Sequence, residues 1–172
     1  MKKTLIILAH PDLTRSIANK KLKEAAEKNT DIMVHNIYEE YPNGKINLEK
    51  ELNLLKETGT LILQFPMQWF SCPSLLKEWI DTVFMAAHFT ENGEKILANK
   101  KIGLAITTGG VKEIYEDKLE GILAPFVLSI DYLNAKNIPI FSIHGVMPGK
   151  ISEAEIEENA KKYVEYLKNN IK

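Results

Sequence analysis

Short apolar runs alternate along the chain with segments whose apolar residues recur at helical spacing. Thr4 to Ala9 is brief, rich in Ile and Leu, and stops at His10-Pro11, which predicts a buried strand. Ser16 to Lys28 carries Ile17, Leu22, Ala25 and Ala26 on one helical face. Asp31 to Ile37 predicts a second strand, Leu48 to Lys56 a short helix with Leu48, Leu52 and Leu55 in register, and Thr60 to Phe65 a third strand. Pro73 to Phe84 places Leu75, Leu76, Trp79, Ile80 and Val83 on one side of a helix, with Ser71 in position to cap it and Pro73 in its first turn. Lys101 to Thr107 predicts a fourth strand. Glu116 to Lys136 reads mostly as helix, with Gly121 and Pro125 as interruptions. Pro139 to Ile143 is a fifth strand, and Ser152 to Asn170 a final helix opened by the capping box Ser152-x-x-Glu155.

Five apolar strands separated by helices predict an α/β protein whose parallel sheet is covered on both faces. Five strands in 172 residues suit the flavodoxin-like order 2-1-3-4-5 in one domain spanning residues 1–172. A chain of this mass folds to roughly 8,500 Å² of surface from roughly 28,000 Å² unfolded, enough to bury a true core. Composition agrees, with 45% hydrophobic and 26% charged residues.

Charge removes some classes of partner. Lys+Arg number 22 and Asp+Glu 23, a formal net charge of −1, with no basic stripe of the kind nucleic-acid binding requires. The single Cys72 excludes an intrachain disulfide and a Cys-rich zinc site, and no metal site is expected. The start Met1-Lys2-Lys3 precedes an apolar run of only five residues, too short for a signal peptide. Ile122 to Ile130 holds Pro125 and Ser129 and falls far short of the roughly 20 residues a bilayer needs. A cytoplasmic protein without membrane insertion is expected.

In a doubly wound sheet the ligand sits beyond the carboxyl ends of the strands, at the switch point, so the loops after strands one, three and four line the crevice. The first runs from His10 to Asn19 and ends at a helix N-terminus, where free amides and the helix dipole favour phosphate. Ser16 offers a hydroxyl, and His10 and Arg15 offer donors or charge; taken alone, Thr14 or Ser16 reads better as an N-cap. Neither G-x-G-x-x-G nor a Walker loop is present. The second loop, Pro66-Met67-Gln68-Trp69-Phe70-Ser71, gathers aromatic and apolar residues where a strand end is usually polar. A planar ligand explains them by stacking and edge contacts, with Gln68 bonding a heterocycle. A loop folded back on the core is the alternative, and for Phe65 the better one. The third loop, Thr107-Thr108-Gly109-Gly110, lets a backbone come close to a ligand and aim amides at developing negative charge; a plain Gly-rich turn is the alternative. Tyr115 follows with a phenol hydroxyl.

These segments together resemble the flavodoxin-like NAD(P)H:quinone oxidoreductases, and most of all the small bacterial branch that includes ancillary subunits of glutathione-gated potassium efflux systems. The resemblance rests on His10-Pro11 with Ser16-Ile17-Ala18-Asn19, on Phe65 to Ser71, on Leu76-Lys77-x-Trp79-Ile80-Asp81-x-Val83-Phe84, and on Thr107 to Gly110. It implies a flavin cofactor, FMN or alternatively FAD, with NAD(P)H as co-substrate. His10 and Ser16 to Asn19 match the family's flavin-phosphate loop, Pro66 to Trp69 its segment along the ring edge, and Thr107 to Gly110 its backbone donors at the pyrimidine end. Tyr115, Gly109 and Gly110 are thereby the residues nearest the chemistry. Some relatives carry a histidine six residues beyond the tyrosine; here that position is Gly121.

The resemblance further implies a homodimer in which residues around His88 and Phe89 help close the partner's pocket. It also implies ping-pong transfer of two electrons from NAD(P)H to a quinone-like acceptor. Two other roles compete: a redox-sensing regulatory subunit of a potassium efflux transporter, and an electron-carrier flavodoxin. The His10-Pro11 loop and the near-neutral charge speak against the carrier. Strand three ending in Phe65-Pro66 speaks against a receiver domain, and the lack of G-x-S-x-G against a hydrolase.

Overall fold

The computed structural model describes residues 3–89 and 95–171. The charged start at Met1 and Lys2 lies outside the described residues. Strand β1 (Lys3–Leu8) lies between β2 (Ile32–Asn36) and β3 (Thr58–Pro66), and β3 pairs with β4 (Lys101–Thr107). All these pairings are parallel, and the sheet runs in the order β2-β1-β3-β4 with the last strand beyond β4. The expected fold class is therefore the observed one.

The edge strand comes in two pieces. β5 (Lys136–Asn137) and β6 (Phe141–Ile143) both pair with β4, but Lys136 faces Lys101 while Phe141 faces Ala105. The offset grows by one residue across Pro139, which has no amide hydrogen to give the ladder. The sequence predicts a single strand from that proline onward. The structure breaks the ladder there and adds paired residues before it.

Both faces of the sheet are covered. Leu5, Ile7, Leu61, Leu63 and Leu104 pack under α3 (Leu48–Glu57), α4 (Ser74–Trp79) and α6 (Leu119–Tyr132). Ile6, Ile62 and Ala105 point the other way, to α1 (Asn19–Ala26) and α7 (Glu153–Ile171). α2 (Ile37–Glu40) is a single turn capped by Asn36, whose side chain accepts from the Tyr38 amide. On the α7 face, Gly103 allows close approach: a Cβ there would stand 2.5 Å from the Tyr166 hydroxyl oxygen and 2.7 Å from Ile138.

Several boundaries differ from the sequence pattern, each for a local reason. The first helix begins at Asn19, because Asp12 Oδ1 accepts from the Thr14 amide at 3.1 Å and winds Leu13–Arg15 into a 3₁₀ turn. Ser71 does not cap α4. Its backbone closes a turn with Gln68, and Pro73 takes the cap position. Beyond Trp79 the helix widens into π turns (Ile80–Phe84) and then resumes as α5 (Met85–His88). Gly121 and Pro125 do not interrupt α6; both are exposed, so the carbonyl that Pro125 leaves unbonded meets water. That helix stops at Tyr132, and Asn134 then takes a left-handed φ of 56°. The capping box forms as the sequence predicts: the Glu155 amide donates to Ser152 Oγ at 3.2 Å and the Ser152 amide to Glu155 Oε2 at 2.8 Å.

Candidate functional site

The ends of β1, β3 and β4 open into one cleft of about 420 Å³. His10, Ser16, Ile17, Ala18, Asn19, Pro66, Met67, Gln68, Thr107, Thr108 and Gly109 line it, so all three expected loops meet there. Trp69, Phe70, Gly110 and Tyr115 lie outside that lining. Val146 and Pro148, from the loop after β6, complete one wall.

The first loop presents backbone. Among the described residues, the amides of Ile17, Ala18 and Asn19, on the chain leading into α1, have no acceptor in the protein. Ser16 Oγ accepts from the Lys20 amide at 3.2 Å. His10 Nδ1 accepts from the Asp12 amide at 3.2 Å, which places the proton of the neutral ring on Nε2 and keeps that nitrogen a donor. Burial, partly offset by Asp12, holds the His10 imidazole below its ordinary value, so at neutral pH it offers a hydrogen bond rather than a charge.

The side chain of Asn19 is spent inside the protein. It is buried and donates to Thr107 Oγ1 at 2.8 Å. Gln64 Nε2 donates to the Asn19 carbonyl and to Asn19 Oδ1, both at 3.2 Å, and the Tyr163 hydroxyl donates to Gln64 Oε1 at 2.9 Å. This chain of neutral groups joins α7, β3, α1 and β4 directly beneath the cleft. Gln64 and Tyr163 escape a reading of the loops alone. The available signal is a lone amide in the apolar strand Leu61-Ile62-Leu63-Gln64-Phe65.

The second loop is strained. The Gln68 amide donates to the Ser71 carbonyl and the Ser71 amide to the Gln68 carbonyl, both at 2.9 Å. The two residues between them, Trp69 and Phe70, have φ of 47° and 62°. Consecutive left-handed residues belong to tight hairpin turns that normally carry Asn and Gly. Holding bulky aromatics there costs of order 1–3 kcal/mol per residue, strain of the kind that gathers at functional sites. Trp69 is 95% exposed and Phe70 53%. Phe65 packs inward against Phe126, with ring centroids 5.5 Å apart. The nearby Cys72 thiol is half-buried, and burial pushes its pKa up, away from a reactive thiolate.

The third loop is fixed by its neighbours. Thr108 donates its amide to the Ile143 carbonyl at 2.9 Å, while Gly145 and Val146 donate theirs to the Gly110 and Thr108 carbonyls at 2.8 Å. Among the described residues, the amides of Gly109 and Gly110 have no protein acceptor. The two glycines differ in what they permit. A Cβ on Gly109 would meet only Met147, at 3.6 Å, whereas one on Gly110 would stand 2.9 Å from the Tyr115 hydroxyl oxygen. Gly110 is small chiefly to admit Tyr115. The Tyr115 ring lies 6.2 Å from Phe70 and stacks on His144 at 5.3 Å and 25°.

An open parallel sheet with free amides and an aromatic turn at its carboxyl rim defines a class of nucleotide-type ligand binder. Residues 2–167 match a protein family described as having a flavodoxin-like fold, and the chain belongs to that family. It is 34% identical over 172 residues to the uncharacterized NAD(P)H oxidoreductase YrkL of Bacillus subtilis, covering 96% of this chain and 98% of that protein. It is 35% identical over 133 residues to the glutathione-regulated potassium-efflux system ancillary protein KefG of Pectobacterium carotovorum, covering 74% and 73%. Among solved structures it is similar to general stress protein 14 of Treponema denticola in complex with FMN, with a TM-score of 0.88, 35% identity, and coverage of 97% and 98%. It is also similar to an NADPH-quinone reductase from P. pentosaceus, with a TM-score of 0.82, 28% identity, and coverage of 95% and 96%.

Proposed function

We propose that this chain is an FMN-dependent NAD(P)H oxidoreductase that delivers two electrons to a quinone or a similar flat electrophile in the cytoplasm. The observation that carries the reading is the convergence on one cleft of unpaired amides from Ile17 to Asn19 and from Gly109. The residues present fit a flavin mononucleotide. The N-terminus of α1, with Ser16 and the Nε2–H of His10, would hold its phosphate. Pro66, Met67 and Gln68 would lie along its ring edge, with Trp69 and Phe70 beside them. The amides of Gly109 and Gly110 would stabilise negative charge, and Tyr115 would add a hydroxyl.

When bound, the flavin supplies the acceptance and release of a hydride equivalent; the protein supplies position and electrostatics. One cleft then serves nicotinamide and acceptor in turn, a ping-pong order. The FMN complex of the Treponema denticola relative and the name of YrkL support this reading, and the likeness to the P. pentosaceus quinone reductase supports the acceptor. The purified protein should be yellow, release FMN rather than FAD by mass spectrometry, bleach with NADH or NADPH without oxygen, and recolour with a quinone. A folded sample that stays colourless after soaking in FMN and FAD overturns the reading.

The same proposal includes a homodimer. Met85, Phe89, Leu128 and Tyr132 are each more than 60% exposed and line one groove of about 340 Å³ between α5 and α6. Contiguous apolar surface of this kind marks an association face. His88 packs in it against Phe89 and Tyr132, at 4.6 and 5.0 Å between ring centroids, and its buried Nδ1 lacks a hydrogen-bond partner among the described residues. Sedimentation should give a dimer, and Leu128→Glu a monomer. The likeness to KefG favours a second role, as the ancillary subunit of a potassium efflux transporter. No helix among the described residues is long and apolar enough to cross a membrane, so such a role would require docking on a separate membrane protein. Co-purification with a transporter tests it.

A further inference from the structure

His144 stands just behind the Thr107–Gly110 loop, and no part of the function proposed above uses it. Its Nδ1 lies 2.9 Å from Thr108 Oγ1, its Nε2 lies 3.1 Å from Ser142 Oγ, and its ring stacks on Tyr115. The hydrogen positions follow from counting donors. The Thr108 hydroxyl has one hydrogen, and Oγ1 is 2.8 Å from the Gly110 carbonyl oxygen, which only accepts. That hydrogen goes to Gly110, so Nδ1–H of His144 donates to Thr108. The neutral ring then has its lone pair on Nε2 and accepts from the Ser142 hydroxyl.

This arrangement tolerates a second proton. When Nε2 is protonated, the half-buried Ser142 hydroxyl only has to turn and accept. The bond from Nδ1–H to Thr108 is the same in both states, so the loop carrying Gly109 and Gly110 keeps its geometry while the charge beside it changes.

We propose that His144 is the proton-accepting partner of this loop, neutral at rest and protonated at Nε2 from solvent when the cleft gains negative charge. The inference rests on the flavin reading above. A hydride brings two electrons and one proton into the cleft and leaves it one unit more negative; one proton taken from water by His144 restores neutrality. When the electrons leave, the hydride equivalent and that proton together make up the two electrons and two protons that a quinone requires. The resting state is the neutral one, because burial and then the nearby Lys112 hold the imidazole below its ordinary value against the opposing pull of Glu113. Lys112 and Glu113 both belong to the turn at Lys112–Ile114, beside Tyr115. Negative charge gained by the cleft raises the proton affinity of the imidazole behind its loop.

The test counts protons. With FMN bound, the protein is photoreduced without oxygen near pH 7.5 in weak buffer containing an indicator dye. It should take up more protons per two electrons than His144→Asn, by up to one and by less as pH rises, because the variant's amide replaces the Nδ1 donor but cannot titrate. His144→Asn should keep FMN affinity within about threefold, while His144→Phe, which keeps the stacked ring but loses the bond to Thr108, should weaken it about tenfold. Imidazole NMR of the wild-type protein provides a reading that needs no variant: the His144 midpoint should rise by about one unit or more on reduction. Equal proton uptake by wild type and His144→Asn, or an unmoved NMR midpoint, overturns the role of His144 and leaves the flavin site standing. Wild-type protein that takes up no FMN overturns both.

Discussion

Two buried polar networks lie on opposite faces of the sheet and handle burial differently. Beneath the cleft, Tyr163, Gln64, Asn19 and Thr107 form a chain of uncharged groups. On the other face, Glu51 is fully buried and accepts from His35 Nε2 and Trp79 Nε1, each at 2.8 Å, and from the Tyr41 hydroxyl. Burial alone would push that carboxyl up, but hydrogen bonds from His35, Tyr41 and Trp79 outweigh it and hold the carboxyl below its ordinary value. The charged network ties α3 to β2, α4 and the chain after α2, and none of its four residues lines the cleft. The neutral one sits where an anionic ligand is expected, and it positions Asn19 and Thr107 without adding a charge that would compete for that ligand. Charge serves the scaffold, and neutrality serves the site.

Replacing residues in each network separates these roles. Glu51→Ala strands three buried donors and should cost about 3–5 kcal/mol in urea unfolding, while the folded fraction keeps its FMN affinity. Acid should act on the same network. Glu51 titrates lower folded than unfolded, so its contribution is full above the ordinary value of 4.5 and is lost as pH falls through the lower folded value. The stability gap between wild type and Glu51→Gln should therefore narrow in acid. His10 and His144, also held low, weaken the fold in the same direction once pH drops below about 6.5. Gln64→Leu should cost less, about 1–3 kcal/mol, yet weaken FMN binding about tenfold by freeing Asn19 and Thr107. If Glu51→Ala and Gln64→Leu harm binding equally, the contrast between the networks fails. The smallest expected effect has the opposite sign. Phe70→Gly relieves a left-handed aromatic and should stabilise the fold by roughly 1 kcal/mol, while FMN is held less tightly.

The central strands and the three loops were legible in the sequence because their signals are local. Lys101 to Thr107 is apolar from Ile102 to Ile106 and pairs as strand β4 over Lys101–Thr107. His10 to Asn19, Pro66 to Gln68 and Thr107 to Gly109 were legible because their residue types are unusual at strand ends. Long-range pairing was not. Gln64 and Tyr163 are 99 positions apart, and His144 reaches Thr108 across 36, so neither contact leaves a periodic trace. Short elements also escape: α2 has four residues, and only the side chain of Asn36 marks its start. The left-handed pair Trp69-Phe70 runs against what propensity would predict, which makes it informative once seen.

The break at Pro139 reaches beyond its own residues. An uninterrupted outer ribbon of unpaired amides and carbonyls invites a stray chain to zip alongside, the first step towards fibres. Here the ribbon is cut into pieces of two and three residues whose phases do not match, so no straight intruder can follow both. On that flank copies of the molecule are steered away from backbone-to-backbone assembly.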